Sequence, residues 1–105
     1  MVNRTIINDQ YYYHIYNRGT DKRKIFLEKW DYVRFLNEPK LVDIICYCLN
    51  SNHYHLLVKQ TTKNGISKFM HKLSLGYTSY FNDKYRRIGS LFQGKYKFKP
   101  VKLTE

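Results

Sequence analysis

The sequence has few acidic residues and no long apolar run. Eight Asp and Glu oppose nineteen Lys and Arg, so the formal net charge is +11. No apolar run approaches the roughly 20 residues that span a bilayer. Residues 1–10 lack the apolar core of a secretory signal peptide. We therefore expect a cytoplasmic protein that has no membrane partner.

Cysteine is also scarce, and the two cysteines lie close together. Cys46 and Cys48 are two residues apart in a segment typical of a strand. Residues at this spacing share a face of an extended chain, with Cα atoms at about the upper limit for an unstrained disulfide. We expect reduced, buried thiols.

The length of 105 residues indicates one domain over residues 1–105. Aromatic residues make up 17% of the chain, which is too many for a disordered tail. Apolar periodicity and turn residues predict strands over 11–17, 41–49, 53–59 and 95–103 and helices over 25–36 and 66–82. This order is the split βαβ pattern of an α+β, ferredoxin-like fold, with an antiparallel sheet and both helices on one face.

The positive charge indicates a polyanionic partner. Basic residues are spread along the chain with aromatic residues among them. Phosphates attract the cations and unstacked bases stack on the rings, so this composition favours single-stranded nucleic acid over a membrane surface.

The most specific local feature is His53-Tyr54-His55. Alternate side chains of a strand share a face, so both imidazoles project to one side and could form two corners of a divalent-metal site. An isolated pair of this kind is more often a pair of half-buried structural histidines. The two interpretations stay open on this motif alone.

Several blocks taken together resemble the single-tyrosine HUH transposases of the insertion-sequence and REP-associated kind. Residues 47–58 are similar to the central strand motif of that family, in which two histidines flank a large apolar residue. Further blocks agree in order and spacing, namely residues 13–19, 25–27, 31–36, 80–82 and 89–97.

The resemblance implies cleavage and rejoining of single-stranded or hairpin DNA in transposition, sometimes by a homodimer. His53 and His55 match the ligands of a Mg2+ or Mn2+ ion. A tyrosine attacks the scissile phosphate and becomes a 5′-phosphotyrosine. In the family this tyrosine and a third metal ligand lie on a helix after the last strand, so we expect the nucleophile beyond Glu105 and an inactive, C-terminally incomplete domain. Tyr77 is a weak fallback, because its position on an apolar stripe favours a core role.

Five basic residues are candidates for contact with DNA. Arg18 follows the first strand, and Lys95 and Lys97 alternate along the last one. Arg86 and Arg87 lie in the loop after the second helix, where guanidinium groups would suit phosphate oxygens.

Two rival interpretations use the same elements. A non-catalytic RNA-recognition module has this element order and stacks bases on the open sheet face. A zinc site could join Cys46 and Cys48 to the two histidines. If Leu49 pairs with His53, however, the thiols point to the opposite face from the histidines, and we expect this register to exclude zinc.

Overall fold

The helices and strands follow one another in the order that the sequence predicts. The computed structural model describes residues 12–101. The elements are β1 (Tyr12–Arg18), α1 (Lys29–Leu36), β2 (Val42–Asn50), β3 (His53–Gln60), α2 (Gly65–Tyr85) and β4 (Lys97–Val101), with a short 3-10 turn at Thr20–Lys22.

The four strands form one antiparallel sheet in the order β2-β3-β1-β4. The two central strands are the first and third in sequence, as the split βαβ pattern requires. The predicted α+β, ferredoxin-like class is therefore confirmed. Pro100 lies on the edge strand β4, where its missing N–H costs the sheet least.

One face of the sheet is covered by both helices. Alternate residues of β1 and β3 are buried there, and Phe35 of α1 packs against Tyr54 of β3 and Tyr77 of α2, with ring centroids 5.0 and 5.3 Å apart. The opposite face carries partly exposed side chains, which include His14, His53 and His55. This free face is the surface available to a ligand.

Helix α1 begins at Lys29 rather than at Ile25 as predicted. The Glu28 side chain accepts from the N–H of Trp30, and the Asp31 carboxylate accepts from the N–H of Glu28, which together form a capping box. Trp30, an apolar residue of α1, is 60% exposed. The side chain of Ile25 is nevertheless buried in the core, and its N–H donates to the carbonyl oxygen of Ser51.

The expectation of buried thiols is wrong. Cys46 and Cys48 are both free and exposed. They lie on β2, which is the edge strand of the sheet, and a bulge interrupts its pairing with β3 between Ile44 and Cys46. The apolar sequence therefore predicted a strand here, but it did not predict that these two side chains are exposed.

The remaining boundaries differ by a few residues. Helix α2 continues to Tyr85, and Arg86 then adopts the left-handed conformation that ends it. Strand β4 begins at Lys97 rather than at Lys95. The predicted strand residues 11 and 102–103 lie outside the described residues. Between residues 12 and 101, neither helix combines the length and apolarity needed to cross a bilayer.

Candidate metal and nucleic-acid site

Strand β3 places His53 and His55 side by side on the free face. The Tyr54 side chain between them points into the core and is 1% exposed. The two imidazole rings meet edge to face, with centroids 5.2 Å apart. Both rings remain partly exposed, so a ligand could reach them. Strand alternation predicts this arrangement.

A third imidazole, that of His14 on β1, joins the pair. Its Nε2 lies 2.8 Å from Nδ1 of His55, and the two rings stack with centroids 5.0 Å apart. Tyr16 stacks beside both rings. His14 is distant in sequence from the other two histidines, and the register of β1 against β3 brings it here.

The surroundings of His55 favour its neutral form. Burial lowers the pKa of His55, and the neighbouring His14 and His53 lower it further. A neutral imidazole can offer a nitrogen lone pair to a metal, whereas a protonated one cannot.

The ring nitrogens of His53 are each held by an asparagine. Nδ1 lies 2.8 Å from Oδ1 of Asn52, and Nε2 lies 2.9 Å from Nδ2 of Asn50. Asn52 also donates through Nδ2 to the carbonyl oxygen of Lys22, at 3.3 Å. The turn between β2 and β3 therefore orients this imidazole.

A pocket of about 440 Å³ opens beside the histidines on the free face. Three cationic side chains line it, which suits a phosphate group. The lining consists of Tyr16, Asn17, Arg18, Lys22, Asn52, His53, His55, Gln93 and Lys97. Imidazoles and cationic side chains thus line one pocket.

The donor set fits part of the coordination sphere of a divalent ion. Among residues 12–101 there is no cluster of three or more His, Cys, Asp or Glu side chains placed to hold a metal. Two imidazoles can supply two positions, and water or phosphate oxygens commonly complete the sphere of Mg2+ or Mn2+. Because imidazole suits transition metals better than Mg2+, we expect the pair to prefer Mn2+.

The register that we used to exclude zinc is wrong. Asn50 pairs with His53 and Cys48 pairs with His55, so the thiols share the free face with the histidines. The zinc site nevertheless gains no support, since these four side chains form no metal-holding cluster in the described part of the chain.

Tyr77 lies on the helix-covered face, on the other side of the sheet from the histidines. Its side chain is fully buried, and its hydroxyl donates to the carbonyl oxygen of Ile25. Burial raises the pKa of Tyr77, and the nearby Asp31 carboxylate raises it further. These features are those of a core tyrosine.

The five basic candidates lie in three places. Arg18 and Lys97 line the pocket beside the histidines. Lys95 lies over the ring of Tyr96, in a second groove against α2. Arg86 is exposed at the end of α2, whereas Arg87 donates to Oδ1 of Asn82 and to the carbonyl oxygen of Ser90.

Sequence reasoning missed several residues of the pocket. Lys22 belongs to a basic run, residues 22–24, and this run was the available signal. Gln93 reaches the pocket because its N–H pairs with the carbonyl oxygen of Arg18. No local pattern marks Gln93, because a long-range backbone contact places it.

A family model described as "Transposase IS200 like" matches residues 8–104. The chain belongs to this transposase family. No curated protein matches it at the level of sequence. Membership agrees with the α+β fold described above.

Two solved structures share the fold of this chain. One is a REP-associated tyrosine transposase bound to a REP hairpin, with a TM-score of 0.69 and 10% identity over 99% of this chain. The chain spans 63% of the length of that protein. The other is a candidate transposase from Deinococcus radiodurans R1, with a TM-score of 0.69 and 12% identity. The match covers 96% of this chain and 85% of the length of that protein.

Proposed function

We propose that the protein binds single-stranded or hairpin DNA on its free sheet face and serves metal-dependent strand cleavage and rejoining in DNA transposition. One observation carries the proposal: His53 and His55 face a pocket that Arg18, Lys22 and Lys97 also line. The family match supports the transposition role, and the REP hairpin bound to the structural neighbour supports DNA as the partner.

Each part of the pocket has a distinct task in this proposal. His53 and His55 would hold a Mg2+ or Mn2+ ion, and such an ion would supply Lewis-acid polarisation of the scissile phosphate. Arg18, Lys22 and Lys97 bind the phosphate backbone on either side. The ring of Tyr16, beside the imidazoles, offers a surface on which a base can stack.

We further propose that these 105 residues bind DNA but do not cleave it. Tyr77 is buried on the opposite side of the sheet and cannot reach a phosphate in the pocket without unfolding of the core. Tyr16 is the tyrosine that lines the pocket, and its ring is stacked on the imidazoles. In this proposal the nucleophile and a third metal ligand would lie beyond Glu105.

The free thiols agree with a cytoplasmic location. Cys46 and Cys48 are exposed on an edge strand, and exposed thiols persist in compartments that keep cysteine reduced. DNA in that compartment would be the substrate.

A non-catalytic RNA-recognition module is the alternative. The free face supports it with Tyr12, over which the ammonium of Lys59 lies, and with Tyr16, which is similarly near Lys99. Such a module needs no metal, so the effect of Mn2+ on nucleic-acid binding separates the two functions.

The test uses labelled DNA strands with a hairpin beside a single-stranded segment. We expect binding that Mn2+ strengthens in the wild type, with the Mn2+ effect lost in His53→Ala and His55→Ala and retained in His71→Ala, a histidine exposed on α2. We expect no covalent adduct on a denaturing gel.

The other outcomes each reject one part of the proposal. A covalent adduct would reject the proposal that these residues lack the nucleophile. Loss of that adduct in Tyr16→Phe would identify Tyr16 as the nucleophile. Binding that ignores Mn2+ would favour the RNA-recognition alternative.

A further inference from the structure

The position of one proton decides which nitrogen of each histidine can bind a metal. A neutral imidazole carries its proton on either Nδ1 or Nε2, and only the other nitrogen offers a lone pair. The hydrogen-bond partners on the free face determine this choice for His53, and the chain of partners starts at the backbone of Lys22.

The carbonyl oxygen of Lys22 fixes the side-chain amide of Asn52. A carbonyl oxygen only accepts hydrogen bonds, so the Asn52 atom 3.3 Å from it is the NH2 group. The other amide atom, Oδ1, then faces Nδ1 of His53 at 2.8 Å.

The orientation of Asn52 in turn fixes the proton of His53. The Oδ1 atom cannot donate, so Nδ1 of His53 must carry the proton and donate it. Nε2 therefore has the lone pair. The Asn50 NH2 group, 2.9 Å from Nε2, is a donor placed to meet that lone pair.

Backbone hydrogen bonds fix the position of Asn52 relative to the Lys22 carbonyl group. The N–H of Gly19 donates to the carbonyl oxygen of Asn52, and the N–H groups of Ile25 and Phe26 donate to the carbonyl oxygen of Ser51. These bonds join the β2–β3 turn to the segment after β1, so the Lys22 carbonyl and the Asn52 amide keep their relative positions.

We propose that Asn52 is a positioning residue that holds His53 in its Nδ1-protonated form, so that Nε2 carries the lone pair, which a metal would take over from the Asn50 NH2 group, and that His14 likewise holds His55 in its Nδ1-protonated form. The contact between His14 Nε2 and His55 Nδ1 is 2.8 Å long. If His55 donates through Nδ1, His14 accepts and both metal-binding histidines present Nε2. The metal part of this inference rests on the proposed function, whereas the proton positions do not.

The proton positions are measured on the metal-free protein by two-dimensional NMR of the histidine ring nitrogens. The 15N shifts distinguish a protonated nitrogen from one with a lone pair. We expect Nδ1-protonated rings for His53 and His55 in the wild type. A wild-type His53 with its proton on Nε2 would overturn the proposal directly, whether or not any variant folds.

Asn50, at the end of β2, and Asn52, in the turn that follows, provide a matched pair. In Asn52→Ala the acceptor for Nδ1–H is lost, so we expect His53 to shift toward the Nε2-protonated form. In Asn50→Ala, which removes a donor near the other nitrogen, we expect His53 to remain Nδ1-protonated. Equal shifts in both variants would contradict the role of Asn52.

His14 is tested by one variant that keeps an acceptor and one that does not. The amide oxygen of His14→Gln can take the place of Nε2, so His55 should remain Nδ1-protonated. In His14→Leu the acceptor is lost, so the 15N shifts of the His55 ring should move away from those of the Nδ1-protonated form. An unchanged pattern in His14→Leu would remove His14 from the proposal.

Calorimetric titration with Mn2+ then links the proton positions to metal binding. We expect Asn52→Ala to weaken Mn2+ binding about 10- to 100-fold, as loss of a partner that orients a ligand does elsewhere. We expect Asn50→Ala, which removes the donor that competes with a metal for Nε2 of His53, to bind Mn2+ at least as tightly as the wild type. If the wild type binds no Mn2+, the proposed function fails while the NMR result stands. If Asn52→Ala binds Mn2+ as tightly as the wild type, the positioning role fails and the proposed function stands.

Discussion

At the scale of single residues, Asp31 is the buried charge with the most hydrogen-bond partners in the described chain. Its carboxylate accepts from the N–H groups of Leu27 and Glu28, from the hydroxyls of Tyr80 and Tyr85, and from the ammonium of Lys84. Burial acts to raise the pKa of Asp31, but these hydrogen bonds outweigh it and lower the pKa to about 2. Asp31 thus links the start of α1 to the end of α2.

The lowered pKa predicts how stability depends on pH. The ordinary pKa of this carboxyl is 3.8, so the folded state favours the ionised form. The contribution of about 2 kcal/mol is present above about pH 4 and is lost as the pH falls toward 2. In urea unfolding at several pH values, the difference in free energy of unfolding between wild type and Asp31→Asn should therefore shrink over this range.

The control for this prediction is an exposed carboxylate. Asp43 lies exposed on β2, and Asp43→Asn should change the free energy of unfolding by less than about 0.5 kcal/mol. A difference between wild type and Asp31→Asn that stays constant from pH 7 to pH 2 would contradict the assignment of Asp31.

The residues of the site show what a sequence can and cannot predict. The shared face of His53 and His55 follows from strand alternation within one segment. His14 and Lys22 join them through contacts between segments distant in the chain, and no local spacing reports such contacts.

At the scale of elements, the segment after β1 depends on a close approach at Gly19. A Cβ atom on this glycine would lie 2.2 Å from the carbonyl oxygen of Arg23, which is a backbone atom that cannot move alone. Because the same segment provides the Lys22 carbonyl, a shift here would disturb both the fold and the site.

We predict that Gly19→Ala lowers the free energy of unfolding by about 1 to 3 kcal/mol, the usual cost of overpacking. Gly76→Ala on α2 is the matched control, since its Cβ would meet only the side-chain ends of Arg34 and Glu38, at 3.1 and 3.2 Å. Alanine also favours a helix by up to about 1 kcal/mol. Thermal unfolding of both variants measures these effects. Equal losses of stability in the two variants would argue against the close approach at Gly19.

Element boundaries were less predictable than element order. The start of α1 depends on the capping box at Glu28 and on backbone bonds from the preceding residues to Ser51. The register of β2 depends on a bulge between Ile44 and Cys46. Periodicity in one segment reports neither a cap nor an inserted residue, and both depend on interactions that periodicity does not encode.

At the scale of the whole molecule, the net charge of +11 predicts DNA binding that weakens as salt rises. Cations that neutralise phosphates release counterions, which lowers the logarithm of the binding constant by about 0.7 per contact for each tenfold increase in salt. We therefore expect Arg18→Gln and Lys97→Gln each to reduce this slope by about 0.7.

Lys72, exposed on α2, supplies the charge-matched control. Lys72→Gln removes the same charge away from the pocket and should leave the slope unchanged. Fluorescence anisotropy at several salt concentrations measures all three slopes. If the three variants behave alike, net charge rather than the pocket determines binding.

The central claim is that His53 and His55 hold one divalent ion on the free face. The most direct measurement is the broadening of histidine ring signals in NMR as Mn2+ is added to the protein without DNA. We predict that the signals of His53 and His55 broaden first, at substoichiometric Mn2+, while His71 on α2 stays sharp. Equal broadening of His71, or no broadening at millimolar Mn2+, would contradict the claim.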